Sequence, residues 1–226
     1  MNIAVLGTGT VGRTIAGKLS ELGHVVVVGT RDPQATVART ESDAMGNPPY
    51  SAWQAENPAV RLAPFAEAAA FGELVVLATS GSGALDALTR AGAENLAGKV
   101  LLDISNPLDG SQGFPPTLFV KDTDSLAEQL QRAFPAARVV KSLNTMTAAV
   151  MVDPGRVSGG EHSVFVSGDD AEAKQTVTSL LEDFGHTDVI DLGDLSTARG
   201  AEMYLPLWLR LMGSLGTPFF NIKVVR

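Results

Sequence analysis

Immediately after the apolar run Ile3-Ala4-Val5-Leu6 the chain reads Gly7-Thr8-Gly9-Thr10-Val11-Gly12, and an amphipathic stretch then continues to Leu22. A G-x-G-x-x-G turn set between a strand and a helix points to a βαβ unit that binds a dinucleotide. The first glycine permits the tight turn, the second lets the backbone approach a pyrophosphate, and the third lets the helix pack on the strand. The helix start offers unpaired amides and a partial positive charge to phosphate oxygens. With Val25–Val28 as the second strand, Gly7, Thr8, Gly9, Thr10, Val11 and Gly12 are expected to border the pyrophosphate.

The end of that second strand selects the dinucleotide. An NAD-specific unit carries an acidic residue there for the ribose hydroxyl, whereas this chain has Gly29-Thr30-Arg31. A carboxylate would repel a phosphate; a hydroxyl and a guanidinium fork bind one. Thr30 and Arg31 therefore predict NADP, with Arg39 as a secondary candidate for the same phosphate. Asp32 precedes Pro33, a helix-cap and first-turn signature, and is read as a cap rather than as the ribose acid.

Strand-like and helix-like segments keep alternating, with further strands at Leu74–Ala78, Val100–Ile104 and Arg138–Lys141. This predicts an α/β fold, a Rossmann-type parallel sheet with helices on both faces, because the Val-rich strands lack an apolar/polar alternation. Ligands of such sheets bind beyond the carboxyl ends of the strands. Ala78, Thr79 and Ser80 follow one strand and Asn106 and Pro107 another, so they are candidates for ribose, pyrophosphate or carboxamide contacts; helix capping and turn formation are the structural alternative. Two stretches, 46–64 and 105–123, read as irregular, apart from a short helix within 51–57. After Asn144 come a strand at 164–166, a helix at 171–184, a strand at 188–190 and a long apolar helix at 196–215. Residues 1–144 are thus expected to form the NADP-binding domain and 145–226 a small C-terminal α+β lobe bordering a second-substrate cleft.

Composition narrows the function classes. Cysteine is absent from the 226 residues, which removes thiolate nucleophiles, disulfides, cysteine-ligated zinc and iron–sulfur clusters together. A net charge of −8 argues against a nucleic-acid partner and for small-molecule cofactors. No apolar run approaches the ~20 residues of a membrane span, and Met1 leads into a strand without a secretory pattern, so no membrane partner and a cytoplasmic location are expected. His24, His162 and His186 lack metal-ligand spacing, and His24 and His186 read as loop residues; no metal is assigned. Lys141 is weighed as a general acid against a charged residue closing a buried strand. Tyr204, Leu207, Trp208, Leu211, Met212 and Leu215 mark one helical face, either core or subunit interface, and Pro206 is expected to kink that helix.

Four segments together resemble a known family, the F420-dependent NADP oxidoreductases: Gly7–Gly12 with Ile15-Ala16, Gly23-His24-Val25 through Arg31, Val140-Lys141-Ser142-Leu143-Asn144-Thr145, and Gly193–Arg199. The ending Asn221-Ile222-Lys223 is also similar. The chain departs from the family at Ser80-Gly81, where a Pro-Trp pair is common, and at Asn144, where His is common. The resemblance implies direct hydride transfer between NADP(H) and the deazaflavin coenzyme F420 as co-substrate, with no catalytic protein nucleophile. Thr8, Thr30 and Arg31 would bind NADP, Asn144, Thr145 and Met146 would border the deazaflavin, and the protein would be a homodimer. Two other readings stand beside it: a different NADPH-dependent reductase acting on an imine, carbonyl or metal–flavin acceptor, and a non-catalytic NADP-binding sensor.

Overall fold

The structure, a computed structural model, describes residues 1–42 and 46–226. The opening unit is strand β1 (Asn2–Leu6), helix α1 (Thr10–Glu21) and strand β2 (Val25–Thr30). Helices α2 (Pro33–Ala38) and α3 (Tyr50–Glu56) lead to β3 (Arg61–Pro64), α4 (Phe65–Phe71), β4 (Leu74–Leu77), α5 (Gly81–Ala91), α6 (Ala93–Leu96) and β5 (Val100–Asp103). A two-residue-per-strand hairpin, β6 (Leu108–Asp109) and β7 (Thr117–Leu118), precedes α7 (Leu126–Ala133) and β8 (Arg138–Ser142). The chain closes with α8 (Ala148–Val152), β9 (Val164–Gly168), α9 (Ala171–Asp183), β10 (Val189–Asp191), α10 (Ala198–Met203) and α11 (Leu205–Leu215).

The main sheet has the order β10-β9-β8-β5-β4-β1-β2-β3. Across it β3, β2, β1, β4, β5 and β8 pair in parallel, with Ile3 opposite both Val26 and Leu74. Successive residues of a strand face opposite sides, which is why the strands are apolar throughout. Ile3 and Val5 pack with Ile15, Leu19 and Val177 on one face, and Ala4 and Leu6 with Ala68, Leu88 and Leu130 on the other. Each fully buried Leu or Val contributes on the order of 1.5–3 kcal/mol, and both faces are covered by helices. Strand β1 lies between β2 and β4, so the chain winds away from it in both directions and a crevice opens at the carboxyl ends of β1 and β4.

Two stretches that read as irregular carry strands. The stretch 46–64 contains an edge strand: β3 runs parallel to β2, pairing Val28 with Leu62. Its four residues end in proline, which is tolerated at a sheet edge and hides the strand from a pattern reading. The stretch 105–123 carries the β6–β7 hairpin. Beyond Asn144, β9 joins β8 in antiparallel fashion and β10 joins β9, so the C-terminal part extends the one sheet and does not build a sheet of its own. The reversal follows Leu143, whose φ of 61° turns the chain. The long apolar helix is broken at Tyr204 into α10 and α11, with Pro206 in the first turn of α11, where its missing N–H removes no helical bond. Among the described residues no helix is long and apolar enough to cross a membrane.

Candidate functional site

The three motif glycines are needed for different reasons. Gly7 has φ +129°, and a Cβ there would stand 2.5 Å from the Ala78 carbonyl oxygen. A Cβ on Gly12 would collide with the Gly7 carbonyl, so α1 could not rise so close to β1. Gly9 adopts an ordinary φ of −74° and its Cβ would meet nothing within 4 Å. Among the described residues nothing excludes a Cβ at Gly9; a ligand pressed against that backbone would. Gly9 also caps α1 without a side-chain hydrogen bond, leaving first-turn amides open to an anion. Thr8 is half-buried and Thr10 exposed, the Thr10 hydroxyl accepting from Asn47 Nδ2 at 2.9 Å. Val11 packs against the core beneath the turn.

A cleft of about 450 Å³ runs from this turn to the end of β2, lined by Thr8, Thr30, Arg31, Arg39, Thr79 and Ser80 among others. The Arg31 side chain is 69% exposed, with Nη2 3.6 Å from Asp86 Oδ2 on α5. Thr30 is buried, its hydroxyl 2.9 Å from that of Thr36, and Thr36 donates to the Asp32 carbonyl. Asp32 Oδ1 accepts from the Ala35 amide at 2.9 Å and caps α2; the exposed residue also lines the cleft. Arg39 lines the same cleft and a neighbouring one that also holds Arg13 and Tyr50.

A smaller cleft of about 210 Å³ continues beyond the turn, walled by Val11, Ala78, Thr79, Ser80, Ser105 and Asn106 together with Gly81, Ile104 and Leu108. Thr79 borders both clefts, and its hydroxyl oxygen is buried with no hydrogen-bond partner among the described residues. Such a group costs free energy until a ligand or water satisfies it. Gly81 opens α5 directly against the Asn106 carbonyl, where a Cβ would collide, so no larger residue fits there in this backbone arrangement. Pro107 is buried and accepts from the Phe119 amide at 2.9 Å, closing the base of the hairpin; it does not line the small cleft.

Asn106 and Asn144 come together from the ends of β5 and β8. Asn144 Nδ2 donates to Asn106 Oδ1 and to the Ala201 carbonyl, each at 3.0 Å, and Asn106 Nδ2 donates back to the Asn144 carbonyl at 3.0 Å. Asn144, Thr145 and Met146 are all buried, and Asn221 Nδ2 lies 4.0 Å from Met146 Sδ.

Lys141 is not free to donate a proton. Its side chain is completely buried between Asp103 Oδ2 and Glu202 Oε1, each at 2.8 Å, and Nζ also donates to the Ser105 carbonyl at 2.6 Å. Burial opposes its charge, but the two carboxylates prevail and raise its pKa above the ordinary lysine value. The histidines His162 and His186 sit in loops but are buried rather than solvated, their rings 6.0 Å apart. Among the described residues no group of three or more His, Asp or Glu side chains could hold a metal ion. Sequence reasoning missed Asp86 and Glu202. The i,i+4 spacing of Asp86 and Arg90 was a visible signal for the first; Glu202 reaches Lys141 only through the tertiary fold.

A family model described as NADP oxidoreductase, coenzyme F420-dependent, matches residues 2–107. The solved structure of a protein assigned as an F420-dependent NADP-reductase from Arthrobacter sp. FB24 superposes with a TM-score of 0.96 at 64% identity, covering 99% of each chain. The F420-dependent NADP reductase of Methanothermobacter marburgensis is 27% identical over 93% of this chain and 92% of its own length. Metalloreductase STEAP3 of Rattus norvegicus is 30% identical over 91% of this chain, which spans only 37% of that protein. The sheet order, the glycine turn and these likenesses agree: the chain belongs to the F420-dependent NADP oxidoreductase family.

Proposed function

We propose that this chain is an oxidoreductase that passes a hydride between NADP(H) and coenzyme F420. The observation that carries the reading is Gly9, where a Cβ would meet no atom of the described residues within 4 Å, between a cleft that holds Arg31 and another that holds Asn106. The two clefts follow the carboxyl ends of the strands, where dinucleotides bind in such sheets. Gly7, Thr8, Gly9, Thr10, Val11 and Gly12 bind the pyrophosphate; Thr30 and Arg31 bind the adenosine-end phosphate. Ala78, Thr79, Ser80 and Asn106 shape the nicotinamide side, with Pro107 behind them at the hairpin base, and the Thr79 hydroxyl has a donor and acceptor to offer.

The cofactors supply the redox chemistry, hydride leaving one ring for the other. The protein orients both rings and keeps water out, and holding donor and acceptor carbons near ~3–3.5 Å accounts for much of the rate. Residues 145–226 furnish the second-substrate side, with Asn144, Thr145 and Met146 at its border; Asn144 is not an acid, and its side-chain NH2 is spent on Asn106 and Ala201. The protein acts in the cytoplasm as a homodimer through α11, whose Leu207 and Leu215 are more than half exposed, with Trp208 as anchor.

Mixing the purified protein with NADPH and F420 should bleach the deazaflavin absorbance, and NADH should be a poor substitute. No bleaching with NADPH binding intact would remove F420 as acceptor. A metal-centred acceptor is the second reading, favoured by the likeness to rat STEAP3, and reduction of a ferric chelate by the same mixture tests it. NADPH binding without turnover of any acceptor would leave a sensor.

A further inference from the structure

We propose that the buried ion triad of Lys141, Asp103 and Glu202 is a positioning device for the Asn106–Asn144 amide pair, and through it for the ring-stacking end of the site. This rests on the hydride-transfer reading for its effect on turnover, though not for its effect on the amide pair itself. The arrangement has two storeys. In the lower one, Lys141 Nζ binds Asp103 and Glu202 at 2.8 Å each and the Ser105 carbonyl at 2.6 Å. Asp103 Oδ1 accepts from the Ser105 amide at 2.9 Å and its hydroxyl at 2.6 Å. Glu202 accepts from the Leu126 and Ala127 amides at the start of α7, at 2.8 and 3.1 Å.

The upper storey is the amide pair, and each of its anchor points adjoins a residue held from below. Asn106 follows Ser105, and the carbonyl that receives Asn144 Nδ2 belongs to Ala201, next to Glu202. Asn144 itself lies three residues beyond Lys141. The ammonium thus sets the separation of the β5 end, the β8 end and α10, the three points that aim both side-chain amides. Apolar residues of similar volume hold a core as well as a buried ion pair or better, so stability alone does not call for charge here. Fixed geometry at the wall formed by Ser105 and Asn106 does.

The test is a double-mutant cycle. Glu202→Gln keeps one oxygen, enough for one of the two α7 amides, and removes the charge facing Lys141. It should lower kcat for F420 reduction by roughly ten-fold or more while leaving the NADPH KM within about two-fold, since a displaced amide pair disturbs ring alignment and not the phosphate contacts. On an Asn144→Ala background the same change should have little further effect. In the ligand-free protein the side-chain NH2 resonances of Asn106 and Asn144 should shift or broaden in Glu202→Gln. Unmoved resonances, or losses that multiply independently in the double variant, would overturn the proposal. Should Glu202→Gln not fold, Ser105→Ala removes only the hydroxyl that Asp103 accepts and should give the same signature more weakly. A wild type that never reduces F420, with Asn144 resonances that still respond to Glu202→Gln, would retire the acceptor and uphold the positioning.

Discussion

Arg31 and Arg90 share one carboxylate: Asp86 receives Arg90 Nε on both oxygens, at 3.0 and 2.9 Å, and stands 3.6 Å from Arg31 Nη2. The hydrogen bond from Arg90, more than the charge of Arg31, holds the Asp86 pKa below its ordinary value. Asp86 therefore competes with a phosphate for Arg31 from an exposed position, where ion pairs are weak. Arg31→Ala should weaken NADPH roughly ten-fold or more while sparing NADH, and Asp86→Asn should tighten NADPH by roughly two-fold. Fluorescence titration with each nucleotide measures both, and equal weakening of NADPH and NADH in Arg31→Ala would contradict the phosphate contact.

The glycine turn separates folding from binding. Gly12→Ala brings a methyl group into the Gly7 carbonyl and should destabilise the protein by about 1–3 kcal/mol, the usual range of overpacking. Gly9→Asn keeps a favoured helix-cap residue and meets no atom of the described residues within 4 Å at its Cβ, so its melting temperature should stay near that of wild type while NADPH binding is lost. Thermal melts beside binding titrations distinguish the two, and a Gly9 variant that binds normally would place the pyrophosphate elsewhere.

Thr79→Val replaces a buried hydroxyl that has no partner with a methyl group of similar size. Stability should hold or rise slightly, because nothing hydrogen-bonded is lost. Turnover or NADPH affinity should fall roughly five- to ten-fold if the hydroxyl serves the nicotinamide end; unchanged kinetics would leave Thr79 a wall and nothing more.

Burial lowers the His186 pKa, the Met151 carbonyl opposing and His162 adding to the shift. Its Nδ1 is buried without a partner, so the fold holds a neutral ring. The unfolded chain takes up the proton first, near pH ~6.5, and stability present above that pH is lost as pH falls below it. The melting temperature should drop between pH 7.5 and 5.5, and the drop should shrink in His186→Gln. An unaltered pH dependence in that variant would assign the loss to other groups.

Much of this architecture is written locally. The glycine turn, the Val-rich β2 and the Asp32-Pro33 cap depend on neighbours within a few residues, so backbone sterics and side-chain spacing make them legible in the chain. The expectation of a phosphate at Thr30-Arg31 is read in the same way, from which charges stand at a strand end. Strand β3 was hidden because four residues ending in proline carry no periodicity of their own; only the edge of β2 makes them a strand.

Lys141 shows where local reading stops. In the chain it is a lysine near an asparagine, open to acid–base chemistry; in the fold it is sealed between Asp103 and Glu202, which lie 38 and 61 residues away. The union of β9 and β10 with the main sheet, the meeting of Asn106 with Asn144, and the hold of Asp86 on Arg31 are likewise products of chain crossing. The sequence by itself determined the dinucleotide unit, its phosphate preference and the α/β class. The tertiary structure decided which polar groups are spent on one another and which are left for a ligand, because pairing between distant residues depends on distances that only packing sets.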